Sequence, residues 1–417
     1  MDSISERLAL LALDNGHRTL TEAADLRLGY GLCGALILDL MVAGALHAEE
    51  DGLITPQPQA ALDKPYLQEA FAAVPSYTSL EQGAMIKAVY AVLPRVKELV
   101  LDALVAGGYA REDTTRLKWS FALKSYALKP RYAGYRANIL QALRQDAVPL
   151  HDGWALQVAD ACGLLGGEDE AGKKEWHAAL SCLETLEGPP AQWRRLTAHL
   201  ATLLPATIAH SHRLPRMGKK AAYAATWEWR GFWLKKEKPT LIQASEEYTA
   251  SLEQNGFSET TDSYVVVEGM AENIKCRRSA LEVKIPLETL DGHTAFSAKQ
   301  VYGFPLPPEE VAEIFPRLGD AAKPVKNAQA LCRLLNKRGI RAELVEVKKK
   351  RFQVKLKSCV QVEFCTLQAG GRKYLTACVE GPDYAVTQAH SHNFRMGEVM
   401  EMGYVEFLKR CQMENVP

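Results

Sequence analysis

The sequence predicts two domains of different class: a mainly helical N-terminal domain, then an antiparallel eight-stranded barrel or strongly curled sheet with peripheral helices. Three observations carry this. In the first half, apolar residues fall in long blocks such as Glu6-Arg-Leu-Ala-Leu-Leu-Ala-Leu13 and Gly31-Leu-Cys-Gly-Ala-Leu-Ile-Leu-Asp-Leu40, of helical length and apolar on most sides. In the second half the period becomes two: Trp227-Glu-Trp-Arg-Gly-Phe-Trp233, Asn273-Ile-Lys-Cys-Arg277, Lys350-Arg-Phe-Gln-Val-Lys355 and Val360-Gln-Val-Glu-Phe364 alternate polar with apolar residues. Between them lies a basic stretch with Pro and Gly, Ala209-His-Ser-His-Arg-Leu-Pro-Arg-Met-Gly-Lys-Lys220. The expected division is residues 1–208, a linker over 209–224, and a second domain over 225–417.

The totals narrow the function classes. A chain of 417 residues has room for two or three domains and an ample core. Lys plus Arg balances Asp plus Glu at 50 each, so no overall field points to nucleic acid. Nine cysteines show no paired spacing and read as buried thiols of a reducing, cytoplasmic compartment. The start, Met-Asp-Ser-Ile-Ser-Glu-Arg, lacks a basic-then-apolar signal pattern. The longest apolar stretch, Gly34 to Leu46, contains Asp39 and is too short to span a bilayer, so membrane contact would be peripheral.

Along the chain, residues 5–108 read as helices, one closing near Gly44 and another, Leu93 to Val105, closing at Gly107-Gly108. Leu46 to Thr55 reads as a small hairpin turning at Asp51-Gly52. A helix followed by a hairpin resembles a winged helix, but acidic Glu49-Glu50-Asp51 and the apolar helix oppose phosphate contact, which sets DNA aside. Further helices are expected at Tyr132 to Leu143, Trp154 to Leu165 and Trp193 to Ile208. In the second domain, strands are expected at 227–233, 263–269, 272–278, 280–285, 341–347, 350–356, 359–366 and 373–380, and helices at Leu241 to Asn255, Pro308 to Arg317, Ala328 to Arg338 and Gly397 to Cys411.

Period two places Asn273, Lys275 and Arg277 on one face of a strand, with Glu282 and Lys284 sharing a face of the next across a turn at Ser279-Ala280. Such strands form either a sheet with one solvated face or a sheet whose polar face binds something. Trp227, Trp229 and Trp233 alternate with Glu228 and Arg230 and read as packing residues rather than platforms for nucleobases. His-Ser-His occurs twice, at 210–212 and 390–392; on a strand both imidazoles would point one way and could start a zinc site, but no Cys or carboxylate stands at ligand spacing beside either copy.

Glu6 to Leu13, Gly31 to Leu40, Ala43-Gly-Ala-Leu46, Leu104-Val-Ala-Gly-Gly108 and Trp154 to Leu165 resemble the Golgi-phosphoprotein family in order and spacing over roughly the first half. The resemblance implies a compact helical domain that binds membranes peripherally, with eukaryotic members recognising phosphatidylinositol 4-phosphate through a Trp and several Arg residues. Here Gly31-Leu-Cys33-Gly stands where the family has Gly-Leu-Arg-Gly, the expected Trp position falls near Ala24, and the helix arginines are represented by Arg95 and Lys97.

In the second half, Glu228-Trp-Arg-Gly-Phe232, Asn273 to Arg277, Leu281-Glu-Val-Lys284, Lys350-Arg351-Phe-Gln-Val, Val362-Glu-Phe364 and Thr376-Ala-Cys-Val-Glu380 resemble the strand succession of the CYTH superfamily of triphosphate tunnel proteins. That implies an eight-stranded CYTH-like tunnel with Arg and Lys for phosphate oxygens and Glu for Mg or Mn. Phosphate positions would be Arg230, Lys275, Arg277, Lys284, Arg351 and Lys355, and metal positions Glu228, Glu363 and Glu380. The opening Glu-x-Glu-x-Lys has become Glu228-Trp-Arg230-Gly-Phe232, and Cys378 stands at one acid of the closing Glu-x-Glu. Cations are kept while acids are thinned, which favours direct anion binding over a two-metal enzyme. Three functions remain open: a membrane- or partner-docking protein whose tunnel binds a polyphosphate-like or nucleotide anion, a divalent-metal-dependent triphosphate phosphohydrolase, or a non-catalytic scaffold.

Overall fold

The computed structural model describes residues 3–14, 22–49, 53–58, 60–74, 80–117, 121–145, 148–165, 226–242, 248, 251, 256–277, 279–318, 323–356, 359–369 and 371–413. The expected helix at Trp193 to Ile208, the basic linker with the first His-Ser-His, and the turn at Asp51-Gly52 lie outside these residues.

The first half is built from α1 (Ile4–Leu13), α2 (Glu22–Val42), β1 (Leu46–Ala48), β2 (Leu53–Pro56), α3 (Pro65–Ala72), β3 (Leu80–Glu81), α4 (Gln82–Ala91), α5 (Leu93–Ala106), β4 (Ala110–Arg116), β5 (Ala122–Leu128), α6 (Tyr135–Arg144) and α7 (Leu150–Ala161). α1 is buried almost all round, as its unbroken apolar run predicts. Its free amides are met by Asp39 of α2, which accepts from Ile4 N at 2.8 Å, Ser5 N at 3.0 Å and Ser3 Oγ at 2.7 Å. A carboxylate there satisfies orphan donors and faces the positive end of the helix dipole. α2 closes before Gly44 (φ +69°), where the left-handed turn that ends the helix suits a residue without Cβ. The expected hairpin is β1–β2, with β3 as a third strand. That third strand was not expected in a stretch otherwise read as helices. The β4–β5 hairpin had no apolar alternation to announce it, since most of β4 is exposed.

The second half comprises β6 (Thr226–Leu234), β7 (Thr240–Ile242), β8 (Ser258–Val267), β9 (Asn273–Arg277), β10 (Ala280–Lys284), β11 (Pro286–Leu290), β12 (His293–Phe296), β13 (Gln300–Gly303), α8 (Pro308–Ile314), α9 (Ala328–Lys337), β14 (Ala342–Lys355), β15 (Gln361–Ala369), β16 (Arg372–Gly381), α10 (Tyr384–His392), β17 (Met400–Glu401) and α11 (Tyr404–Met413). Eleven of these strands form one antiparallel sheet in the order β11-β12-β6-β16-β15-β14-β8-β9-β10-β13, with β17 on β6. The expected eight strands differ from this in three ways. Runs 341–347 and 350–356 are a single strand, β14. Strands β11, β12, β13 and β17 were not foreseen. Among the described residues β11 and β13 remain unpaired ends, so the curled sheet is an open half-barrel by its hydrogen bonding. The helix expected from Leu241 begins instead as β7, parallel to β5, and the rest of it is mostly outside the described residues. The helix expected from Gly397 starts only at Tyr404, after Gly397 turns at φ +66°.

Strand alternation sorts the side chains into three layers. Outward from β6, β14, β15 and β16, Trp229, Trp233, Phe352, Phe364 and Leu375 pack with Phe121 and Leu123 of the β4–β5 hairpin and with Phe394. This joins the halves, and it bears out the packing role expected for these tryptophans. Outward from β8, β9 and β10, Val265, Ile274, Leu281 and Val283 pack on α8 and α9. On the inner face, Phe232, Tyr264, Val347, Cys365 and Tyr374 are covered by Tyr404, Phe407 and Leu408 of α11, with Phe232 stacked on Phe407 at 3.8 Å. α11 covers the apolar part of the inner face, and the remainder of that face is polar.

Candidate functional site

The polar part of the inner face encloses a cavity of about 550 Å³. Its side chains stand at alternate positions: 228 and 230 on β6, 262 and 264 on β8, 273, 275 and 277 on β9, 282 and 284 on β10, 349, 351 and 353 on β14, 361 and 363 on β15, and 380 on β16. Lys299 joins from the segment before β13 and Tyr404 from α11. Register holds the rows level: Lys275 pairs with Glu282 and Tyr264, Gln353 with Glu363, and Glu228 with Glu380.

The charges form two clusters. In the first, Arg277 forks onto Asp262, with Nε to Oδ1 at 2.9 Å and Nη2 to Oδ2 at 3.0 Å. Lys349 Nζ donates to Asp262 Oδ2 at 3.0 Å and to Tyr264 Oη at 2.7 Å, and lies 4.0 Å from the Tyr404 ring centre. Lys275 and Lys299 each lie 3.3 Å from Glu282. Burial works to raise the Asp262 carboxyl, but Lys349, Lys275 and the Arg277 fork hold it below the usual carboxylate range. Burial pulls the Lys275 and Lys349 ammonium groups below their ordinary value, and their carboxylate partners do not restore it.

In the second cluster, Arg230 Nε donates to Glu228 Oε1 at 3.0 Å and Nη1 to Glu363 Oε1 at 3.3 Å. Arg351 Nη1 at 3.4 Å and Gln353 Nε2 at 3.1 Å share Glu363 Oε2. Burial opposes the Glu363 charge, yet Arg230, Lys349 and Arg351 keep it depressed and ionised. Lys284 Nζ reaches Glu380 Oε1 at 2.8 Å, which also accepts from Thr226 Oγ1 at 3.1 Å.

Glu228, Glu363 and Glu380 do not fit a divalent cation in this arrangement. The Arg230 guanidinium bridges Glu228 and Glu363, and Lys284 occupies Glu380. Among the described residues, no group of three or more His, Cys, Asp or Glu side chains is placed to hold a metal ion. What the cavity offers is a set of fixed ammonium and guanidinium donors in a partly enclosed, poorly solvated space, where electrostatic contacts to an anion are strengthened.

A family model described as Golgi phosphoprotein 3 (GPP34) matches residues 4–236. The chain belongs to this family. The match runs through the helical half and into β6, so Glu228 and Arg230 lie within it. No curated protein matches the chain. A solved structure described as a candidate adenylate cyclase from Bacillus halodurans is similar over 46% of this chain and 91% of its own, at 12% identity and a TM-score of 0.22. A score that low does not establish a shared fold. Among the described residues no helix is long and apolar enough to cross a membrane.

In the family domain, Cys33 is wholly buried, with its thiol 3.5 Å from the Gly29 carbonyl. Lys97 is only 3% exposed and donates to Asn393 Oδ1 at 3.0 Å, inside the contact between the halves. A headgroup role for Lys97 is corrected on that ground: a lysine enclosed there does not present its charge to a membrane surface. Arg95 does face solvent, 3.1 Å from Glu69.

The structure brings Arg230, Lys275, Arg277, Lys284, Arg351, Glu228, Glu363 and Glu380 into one cavity. Lys355 falls outside it, exposed at the end of β14. Sequence reasoning missed Asp262, Tyr264, Lys299, Lys349 and Tyr404. Lys349 had a signal, since it stands two before Arg351, and so did Asp262, two before Tyr264. Both were hidden because the strands were started too late. Tyr404 comes from a helix and had none. The second His-Ser-His lies at the C-terminal end of α10 rather than on a strand, where residues two apart point to different sides, so the shared-face geometry of a zinc start is lost. His390 and His392 are buried there, His392 against Tyr90 at 4.4 Å.

Proposed function

We propose that the cavity binds a phosphate-bearing anion of the polyphosphate or nucleotide class, and that the helical family domain docks the chain on an anionic membrane surface or a protein partner. The observation that carries the first part is the cation set: Arg230, Lys275, Arg277, Lys284, Lys349 and Arg351 converge from four different strands on one partly enclosed space. Long cationic side chains are rarely gathered inside a sheet without an anion to meet them. The kinship with triphosphate tunnel proteins belongs to this reading and is supported by the alternation that turns polar side chains inward on every lining strand. Docking by the helical domain is supported by family membership.

Metal-dependent hydrolysis would require Glu228, Glu363 and Glu380 to be free of Arg230, Arg351 and Lys284, and the arrangement does not favour it. The test is a thermal-shift series on the full chain with pyrophosphate, tripolyphosphate and nucleotides in the presence of chelator. A ligand at 100 times its Kd adds about 2.7 kcal/mol of stability, which the melting temperature reports. Unchanged melting with every anion would leave the scaffold reading. Co-sedimentation with phosphoinositide vesicles tests docking, and a chain that stays in the supernatant contradicts it.

A further inference from the structure

The cavity's charges are not evenly spread. Among the described residues, seven cationic side chains line it against five carboxylates, an excess of two positive charges. The second cluster is balanced: Arg230, Arg351 and Lys284 face Glu228, Glu363 and Glu380. The whole excess lies in the first, where Lys275, Arg277, Lys299 and Lys349 share only Asp262 and Glu282. Lys275 and Lys349 are also the two lining cations held below their ordinary value, burial outweighing the pull of their carboxylate partners. Tyr404 lines the same cavity, and its buried hydroxyl has no hydrogen-bond partner among the described residues.

From this, and resting on the anion-site reading, we infer that the cavity selects a dianion: one phosphomonoester group seated at Lys275, Arg277, Lys349 and Lys299, with an uncharged, hydroxyl-bearing remainder at the balanced cluster. A phosphomonoester cancels the excess of two charges. A tripolyphosphate would overshoot it and press its surplus negative charge on Glu228, Glu363 and Glu380, at a cost that rises in a poorly solvated space. The hydroxyls of a sugar phosphate or nucleoside monophosphate suit carboxylate acceptors there.

The test is calorimetric titration of the full chain, with chelator and at fixed ionic strength, using orthophosphate, glycerol 3-phosphate, pyrophosphate and tripolyphosphate. The expected result is that glycerol 3-phosphate or orthophosphate binds at least tenfold more tightly than tripolyphosphate. Lys299→Met, at an exposed rim position, and Lys275→Met should each weaken that binding several-fold, whereas Lys355→Met outside the cavity should not. Vesicles carrying phosphatidate separate a lipid headgroup from a free phosphomonoester, and preferential binding of either supports the dianion. Tightest binding by tripolyphosphate overturns the dianion while leaving the anion site standing. Phosphate binding untouched by both Lys275→Met and Lys299→Met overturns the location. No binding by any anion removes both readings.

Discussion

Glu363 is the residue on which the cavity's internal balance turns. Its two oxygens serve Arg230, Arg351 and Gln353, and removing its charge leaves Arg230 with Glu228 alone. Breaking a buried pair on one side costs about 3–5 kcal/mol. Glu363→Gln keeps the shape and one acceptor, so about 2 kcal/mol is expected, read as a lower urea midpoint. The same change raises the cavity's excess charge by one and should tighten pyrophosphate binding. Loss of stability together with loss of pyrophosphate binding would show that Glu363 holds the site's shape rather than its charge. Residues of this kind were legible in the sequence because alternation in a strand is a local rule, and Glu228, Lys275 and Glu363 each followed it. Asp262 and Lys349 obeyed the same rule, but their strands run further than the apolar pattern showed. Lys355 obeyed it too, yet lies past the point where the cavity ends, which no local rule reveals.

Strand β6 shows what an element must supply. Its inner positions carry Glu228 and Arg230 into the cavity, while Trp229 and Trp233 bind the outer face to Phe121 and Phe394. Gly231 sits between the two tryptophans. A Cβ there would lie 2.6 Å from Val399 Cγ2, 2.7 Å from Trp229 and 2.9 Å from Trp233. Overpacking of this sort costs about 1–3 kcal/mol, or ~4–8 °C in melting temperature at ~2 kcal/mol for a domain of this size. Gly231→Val should therefore lower the melting temperature, and a wild-type value would mean that the tryptophans move aside freely. The wrong readings of elements share a cause. Short strands such as β12 and β17 are fixed by their neighbour β6 rather than by a pattern of their own, and α11 starts where its apolar face finds Phe232 and Tyr264, later than Gly397 suggested.

For the molecule as a whole, the contact between the halves is polar where α10 enters it. His293 and His392 are buried there. The groups facing them are Arg395, Lys97, Asp291, Ser391, Tyr90 and Tyr384. Burial, with Arg395 adding to it, pulls the His293 imidazole down to about 4 and His392 well below its usual value. Both rings are thus protonated more readily when unfolded, so their contribution is intact above about 6.5 and is lost as the pH falls below it, at up to ~1.4 kcal/mol per pH unit for each ring. The depressed carboxyls of Asp262 and Glu363 act in the same direction at lower pH. The melting temperature should drop between pH 7 and pH 5, and His392→Gln should flatten that drop; an equally steep fall in the variant would place the sensitivity elsewhere. Neither the contact nor its burial of Lys97 was legible, because residues 97 and 393 meet only through tertiary packing. That the inner face of the sheet is an anion site is tested most directly by soaking crystals of the full chain in tungstate, a heavy surrogate of phosphate, with chelator present. The anomalous signal should peak within bonding distance of Lys275, Arg277 and Lys349. A cavity without a peak, at tungstate concentrations that mark other cationic patches of the surface, would contradict it.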